Sequence, residues 1–251
     1  MKSMLSRLGF GSAVADPAEL VHAISPDLNG AELAVAYFSG RAGGDFYEFT
    51  RVSPNRLLFG LLDVAGKRDD SRPILTAAQS CFRSVGAELF SDPELNEAEA
   101  MIELARRLNL EIMRAAGGVR SCPTFAGCYN EELGTVCYVN AGHTPGLLCD
   151  QSSIEELPAT GLPLGLFSLA PTDARIVGLG PEGALAIVSR GVVEAQCDDE
   201  EFGLNGVKRV MGGKPPSATL LARGILEQLQ SFVCTAPKHN DVTALSLKRA
   251  A

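Results

Sequence analysis

Arg56-Leu57-Leu58-Phe59-Gly60-Leu61-Leu62-Asp63-Val64-Ala65-Gly66 is the stretch on which the fold turns. Residues 57–62 are continuously apolar, the pattern of a strand covered on both faces. Such a strand needs a layer of structure on each side of it. The run leaves its buried part on a carboxylate, Asp63, beside a glycine turn at Gly66. Two strand-like segments precede it, Ala31–Phe38 and residues 45–52, separated from their neighbours by Gly or Pro-Asn turns. Before these, Pro17, Pro26 and Gly30 break the chain around a short helical segment at 18–24. Residues 1–25 therefore read as a loose lead and 26–251 as one folded domain. The lead has no continuous apolar segment of the kind a secretory signal carries.

Downstream, helical periodicity takes over. After Pro73, which suits a first helical position, Leu75, Ala78, Phe82, Val85 and Leu89 recur at steps of three and four. Asp92-Pro93 ends that helix. A second opens near Asn96, with Glu99 three residues on, buries Ala98, Met101, Ala105, Leu108 and Ile112, and stops at Gly117-Gly118. Strands resume at Thr124–Asn130 and 135–140, which read as a hairpin, then at Gly146–Asp150, 173–177 and Ala184–Val188. Leu221, Ile225, Leu229 and Phe232 mark a late helix after Pro215-Pro216, and residues 241–247 a last strand. Strands, two helices, strands, helix, strand is not the alternation of a parallel doubly wound sheet. The order predicts an α+β protein whose sheets pack on each other with helices outside.

Composition excludes several functions. Against 30 Asp+Glu stand 22 Lys+Arg, a net charge of −8, which argues against nucleic-acid binding. No apolar run is long enough to span a membrane. Seven cysteines occur without any Cys-x-x-Cys pair, which predicts reduced, buried thiols in a cytoplasmic chain and neither a disulfide scaffold nor a zinc site.

The chemistry-bearing residues are acids at strand ends next to glycine. Asp45 follows Gly43-Gly44, and Asp63 precedes Gly66. Two carboxylates fixed in direction and partly desolvated suit a hard divalent ion, Mg2+ or Mn2+. Each could equally cap its own turn through a side-chain hydrogen bond.

The order of motifs adds to this reading. Gly43-Gly44-Asp45-Phe46-Tyr47-Glu48-Phe49, Asp63-Val64-Ala65-Gly66-Lys67, Thr124-Phe125, Asn140-Ala141-Gly142-His143-Thr144-Pro145 and Gly161-Leu162-Pro163-Leu164-Gly165 follow one another. Val188-Ser189-Arg190-Gly191-Val192-Val193-Glu194-Ala195, Phe202-Gly203 and Asn240-Asp241-Val242-Thr243 continue the series. Over residues from about 20 to 248 this resembles the PPM-type metal-dependent protein phosphatases, in their bacterial SpoIIE/RsbU-like sporulation and stress-signalling branch. The resemblance implies a four-layer α-β-β-α sandwich with two central, mostly antiparallel sheets. It implies hydrolysis of phosphoserine or phosphothreonine on a partner protein, of the small anti-sigma-factor-antagonist type, by two divalent ions that share a water. Asp45, Asp63 and the Val64 carbonyl take the places of family metal ligands.

Two further ligand positions depart from the family. The aspartate of the TDG motif is replaced by Arg190, and the first aspartate of the DDVT motif by Asn240, with Asp241 one residue later. Arginine is permanently protonated and only donates, so it cannot ligate. The expectation is a guanidinium in place of one cation, neutralising Asp63 and also Asp45. One metal site is then lost, and no catalytic residue is assigned. The chain reads as a pseudophosphatase or very weak phosphatase in bacterial signalling; the alternative is an active enzyme on a remodelled or single-metal site. The charged junction Gly66-Lys67-Arg68-Asp69-Asp70-Ser71-Arg72 replaces the small-residue helix start of the family. His143 is expected to stabilise its loop, Cys122, Cys128 and Cys137 to fill core, and Asp198-Asp199-Glu200-Glu201 to form a solvated loop.

Overall fold

The apolar run at 57–62 lies in a strand paired on both sides in the computed structural model, which describes residues 21–24, 28–38, 45–64, 68–92, 94–150, 153–233 and 241–251. The chain opens with β1 (Val21–Ile24), β2 (Ala31–Phe38), β3 (Asp45–Ser53) and β4 (Arg56–Asp63), followed by helices α1 (Arg68–Leu89) and α2 (Glu97–Ala116). Strands β5 (Thr124–Asn130), β6 (Thr135–Ala141), β7 (Gly146–Asp150), β8 (Ser153–Leu157), β9 (Arg175–Gly178) and β10 (Ala184–Val188) come next. The last part holds α3 (Arg190–Val193), the short hairpin β11 (Gln196–Cys197) and β12 (Glu200–Glu201), α4 (Gly203–Gly212), α5 (Ala218–Phe232) and β13 (Val242–Arg249).

Two antiparallel sheets carry the core. One has the order β1-β2-β13-β10-β7-β8, the other β3-β4-β5-β6-β9. Leu57, Phe59 and Leu61 point from β4 into the layer between the sheets, where they meet Val35, Leu185 and Leu245. Leu58 and Leu62 point the other way, onto Phe82, Met101 and Leu108 of α1 and α2. The outer face of the first sheet is covered by α4 and α5 through Met211, Leu221, Ile225 and Leu229. This is the α-β-β-α order, and it explains why β4 shows no alternation: each face has its own apolar layer.

Local signals account for much of the helix geometry. Asn96 caps α2 by accepting from the backbone N–H groups of Ala98 and Glu99, and Gly117 ends it at φ 62°. Ser217 caps α5 by accepting from Leu220 N.

Three expectations are corrected. The helical segment at 18–24 is instead a strand at Val21–Ile24, paired with β2 in the register Val21↔Tyr37, because pairing with a long neighbour outweighs the helix preference of so short a segment. Pro73 is not a first helical residue: α1 starts at Arg68, so proline sits within its second turn and only one early carbonyl loses its donor. The thiols are not all reduced, since Cys197 is disulfide-bonded, whereas Cys81, Cys122, Cys128, Cys137 and Cys149 are free. Cys234 lies outside the described residues. No helix among the described residues is long and apolar enough to cross a membrane.

Candidate functional site

Antiparallel pairing brings the two sequence-predicted acids together. Asp45 opens β3, Asp63 closes β4, and they are direct cross-strand partners, so both side chains leave the same face. The neighbouring sheet ends at the same edge: β13 starts just after Asp241, and β10 runs out into Ser189 and Arg190. Ser189 N donates to the Thr243 carbonyl at 2.9 Å, and Thr243 N donates to Ser189 Oγ at 3.0 Å. That reciprocal pair ties the exit of β10 to the entry of β13.

Asp45 is held from the other sheet. Thr243 Oγ1 donates to its Oδ2 at 2.8 Å, its backbone N–H points at Asp241 Oδ2 at 3.4 Å, and the Ser189 hydroxyl, which lowers the Asp45 pKa, donates to the Asp241 carbonyl at 3.3 Å. Asp63 is fixed by its N–H donating to the Pro123 carbonyl at 2.9 Å. Its carboxylate faces Arg190, with Nε 3.5 Å from Oδ2, an ion pair longer than an ordinary N–H···O hydrogen bond. The guanidinium is 47% exposed and is shared with Glu194 at 3.7 Å. Arg190 therefore meets Asp63 as expected, whereas Asp45 is held by the Thr243 hydroxyl instead. Val64 is buried next to Asp63, and Asn240 lies outside the described residues.

Burial pushes the Asp45 carboxyl up to about 7, against the hydrogen bonds from Ser189 and Thr243 and with help from the charges of Asp63 and Asp241. Burial likewise raises Asp63; Arg190 pulls it down and Asp241 pushes it up. Among the described residues no group of three or more His, Cys, Asp or Glu side chains is arranged to hold a metal ion. The charged side chains that the described residues bring to this edge are Asp45, Asp63, Asp241 and Arg190. Sequence reasoning missed Ser189 and Thr243 as partners of Asp45, although both stand inside the motifs that located Arg190 and Asp241.

His143 stands in the turn after β6 and is 5% exposed. Its N–H donates to Asn140 Oδ1 at 2.8 Å, Nδ1 lies 3.1 Å from the Thr144 carbonyl, and Nε2 is buried without a partner. Thr144 Oγ1 donates to the Val188 carbonyl, so this turn holds the end of β10, just before Ser189. Burial lowers the His143 imidazole to about 4 from 6.5. The folded state thus binds fewer protons there, and stability is lost as pH falls from 6.5 through 4, by about 3 kcal/mol. Asp45, raised from 3.8 to about 7, works the other way and gains stability over nearly the same range on acidification. His143→Gln is accordingly expected to be more acid-tolerant than wild type. Denaturant titrations at pH 7 and pH 4.5 measure this, and equal pH dependence in both proteins would contradict it.

The comparisons with known proteins agree with the fold. The family model of Stage II sporulation protein E (SpoIIE) matches residues 53–250. The chain is 25% identical over 162 residues to phosphoserine phosphatase RsbP of Bacillus subtilis (strain 168), covering 63% of this chain and 39% of that protein. It therefore spans well under half the length of that relative. Among solved structures it is similar to the RsbU and RsbW domains of Rv1364c from Mycobacterium tuberculosis, with TM-score 0.67 and 21% identity over 88% of this chain and 62% of that one. It is also similar to the catalytic domain of the serine threonine protein phosphatase PstP in complex with 2 manganese ions, with TM-score 0.67 and 11% identity over 88% and 99% of the two chains.

Proposed function

The chain belongs to the SpoIIE family, and from that premise we propose that it is a cytoplasmic pseudophosphatase or very weak protein-serine/threonine phosphatase of bacterial signalling. It keeps the fold and binds a phosphorylatable partner protein of the small anti-sigma-factor-antagonist type. The observation that carries the reading is Arg190, whose guanidinium stands 3.5 Å from Asp63 where the family places an acidic metal ligand. A cation that is part of the chain competes with any ion for the same carboxylate. No hydrolytic step is assigned to these residues, because among the described side chains no group of three or more His, Cys, Asp or Glu is arranged to hold an ion.

One observation favours a second reading. The charges of Asp63 and Asp241 both push Asp45 up, so one Mn2+ or Mg2+ on Asp45, Asp63 and the Val64 carbonyl would relieve repulsion between the carboxylates. Such an ion would polarise a phosphoryl oxygen.

Turnover decides between the two. Assayed on p-nitrophenyl phosphate and on a phosphoserine protein across a Mn2+ titration, the wild-type chain is expected to be at least about a hundredfold slower than the phosphatase domain of RsbP, a deficit of about 2.7 kcal/mol. Mn2+ is expected to leave its melting temperature unchanged. Metal-dependent turnover at the rate of that relative would overturn the pseudophosphatase reading.

A further inference from the structure

One loop beside the acidic edge holds apolar side chains out in water. Residues 161–172, between β8 and β9, contain no charged side chain. Within them Leu164 pairs with Cys122, each N–H donating to the other's carbonyl, at 3.2 and 2.8 Å. Arg120 N donates to the Gly165 carbonyl at 3.0 Å. Asn109 of α2, itself buried, locks this two-stranded ribbon: it accepts from Gly165 N at 2.7 Å and donates to the Phe167 carbonyl at 2.9 Å. Gly165 sits at φ 80°, where a Cβ would run into the Arg120 carbonyl. The backbone is thus fixed, yet Val119, Leu162, Phe167 and Leu169 are 46–79% exposed. Four of the seven large apolar side chains exposed among the described residues therefore stand on this one ribbon. Apolar groups held rigidly in water form a preorganised docking surface. The ribbon adjoins the acidic edge, because the carbonyl of Pro123, which follows Cys122, accepts from Asp63 N at 2.9 Å.

The first residues of the chain are complementary to it. Met1, Met4, Leu5 and Leu8 stand at i, i+3, i+4 and i+7, the spacing of an apolar helix stripe, with Lys2 and Arg7 off it. Two turns of helix do not hold in water alone and need a surface for that stripe. Residues 1–15 contain no Asp or Glu in a chain of net charge −8, so their positive charge draws them to their own body. They lie outside the described residues, but the place where they join the fold is set. Val21 pairs with Tyr37, Tyr37 with Thr243, and Thr243 Oγ1 donates to Asp45 at 2.8 Å. The chain therefore enters β1 at the acidic edge. From there the ribbon is about four strand spacings and one sheet-to-sheet gap away, roughly 30 Å. Residues 11–20 span about 33 Å when extended, so the reach suffices.

We propose that residues 1–8 dock as a short amphipathic helix on Val119, Leu162, Phe167 and Leu169, drawing residues 11–20 across Asp45 and Asp63 as a strap. A partner protein that reaches the acidic edge then has to displace the strap. The docking itself holds whether or not that edge turns over substrate.

The test uses the full chain with Leu8 replaced by the photocrosslinker p-benzoylphenylalanine. Irradiation at low micromolar concentration is expected to give monomers cross-linked from position 8 to residues 162–169 or to Val119. Phe167→Asp with Leu169→Asp, both on exposed side chains, should cut the cross-link yield about tenfold. Trypsin cleavage after Arg7 should become about tenfold faster in that variant than in wild type. Leu5→Asp, which leaves the folded body untouched, should speed that cleavage in the same way. Cross-links to other parts of the chain, or unchanged yield and cleavage in the variants, would overturn the proposal. Cross-linked dimers would overturn it by assigning the ribbon to a second copy. Sedimentation of the chain with phosphatidylserine vesicles, lost in Leu5→Asp and without cross-links to the ribbon, would overturn it by assigning residues 1–8 to a membrane surface.

Discussion

Exchanging Arg190 and Asn240 together for aspartate is expected to give a protein that is less stable than wild type in chelator and more stable in Mn2+. The first half follows from the charges around Asp45 and Asp63. Asp45 and Asp63 are already raised by burial and by each other's neighbours, and Arg190 is what holds Asp63 down. Removing that cation and adding two carboxylates beside Asp45 and Asp63 increases the like-charge repulsion at this edge, a cost that burial magnifies. The second half follows from linkage: an ion that binds only the folded state at a hundred times its dissociation constant adds about 2.7 kcal/mol, or roughly 5–10 °C in a domain of this size. Turnover of a phosphoserine protein should rise at least about a hundredfold over wild type, the same 2.7 kcal/mol read as a barrier. A double variant whose melting temperature ignores Mn2+ would show that Arg190 is not what excludes the ion.

How far the sequence carried this depends on the kind of signal. The fold was legible where one residue pattern had one cause: the unalternating run of β4 meant two covered faces, and Asn96 with Gly117 marked the ends of α2. It was not legible where tertiary pairing decided. β1 is four residues that become a strand only because the edge of β2 is free to take them. β8, with the sequence Ser-Ile-Glu-Glu-Leu, is an edge strand with mostly exposed side chains, so it carries little apolar signal. α4 opens and closes on glycine and contains a third, Gly206, which hides its short stripe of Val207 and Met211. At the site, the motif order pointed to Asp45, Asp63 and Arg190, but only the register of β3 on β4 puts the two acids opposite each other. The hydroxyl of Thr243 could not be assigned to Asp45, because it reaches it from the other sheet.

Phe82→Ala is expected to be the most destabilising single core truncation on α1, at about 3–5 kcal/mol. The helix periodicity named Phe82, Val85, Leu89, Met101 and Leu108 as one apolar seam, and all five pack in the layer between α1, α2 and the second sheet. Phe82, Met101 and Leu108 are fully buried, whereas Val85 and Leu89 are partly so. What singles out Phe82 is the backbone beneath it. A side chain at Gly60 would place its Cβ 3.2 Å from the Phe82 ring, so the aromatic ring lies directly on the main chain of β4. One turn on, a Cβ at Gly86 would come within 2.6 Å of Leu58, so the helix approaches the strand too closely for either element to shift inward. The space left by the ring cannot collapse when helix and strand are already in contact on either side of it, and the cost then includes most of the cavity. Val85→Ala, at the margin of the same seam, should cost less than half as much because solvent and neighbouring side chains can close over it. Urea titrations of the two variants give the comparison. A change below about half a kcal/mol for Phe82→Ala would mean that α1 does not pack on β4 through this ring.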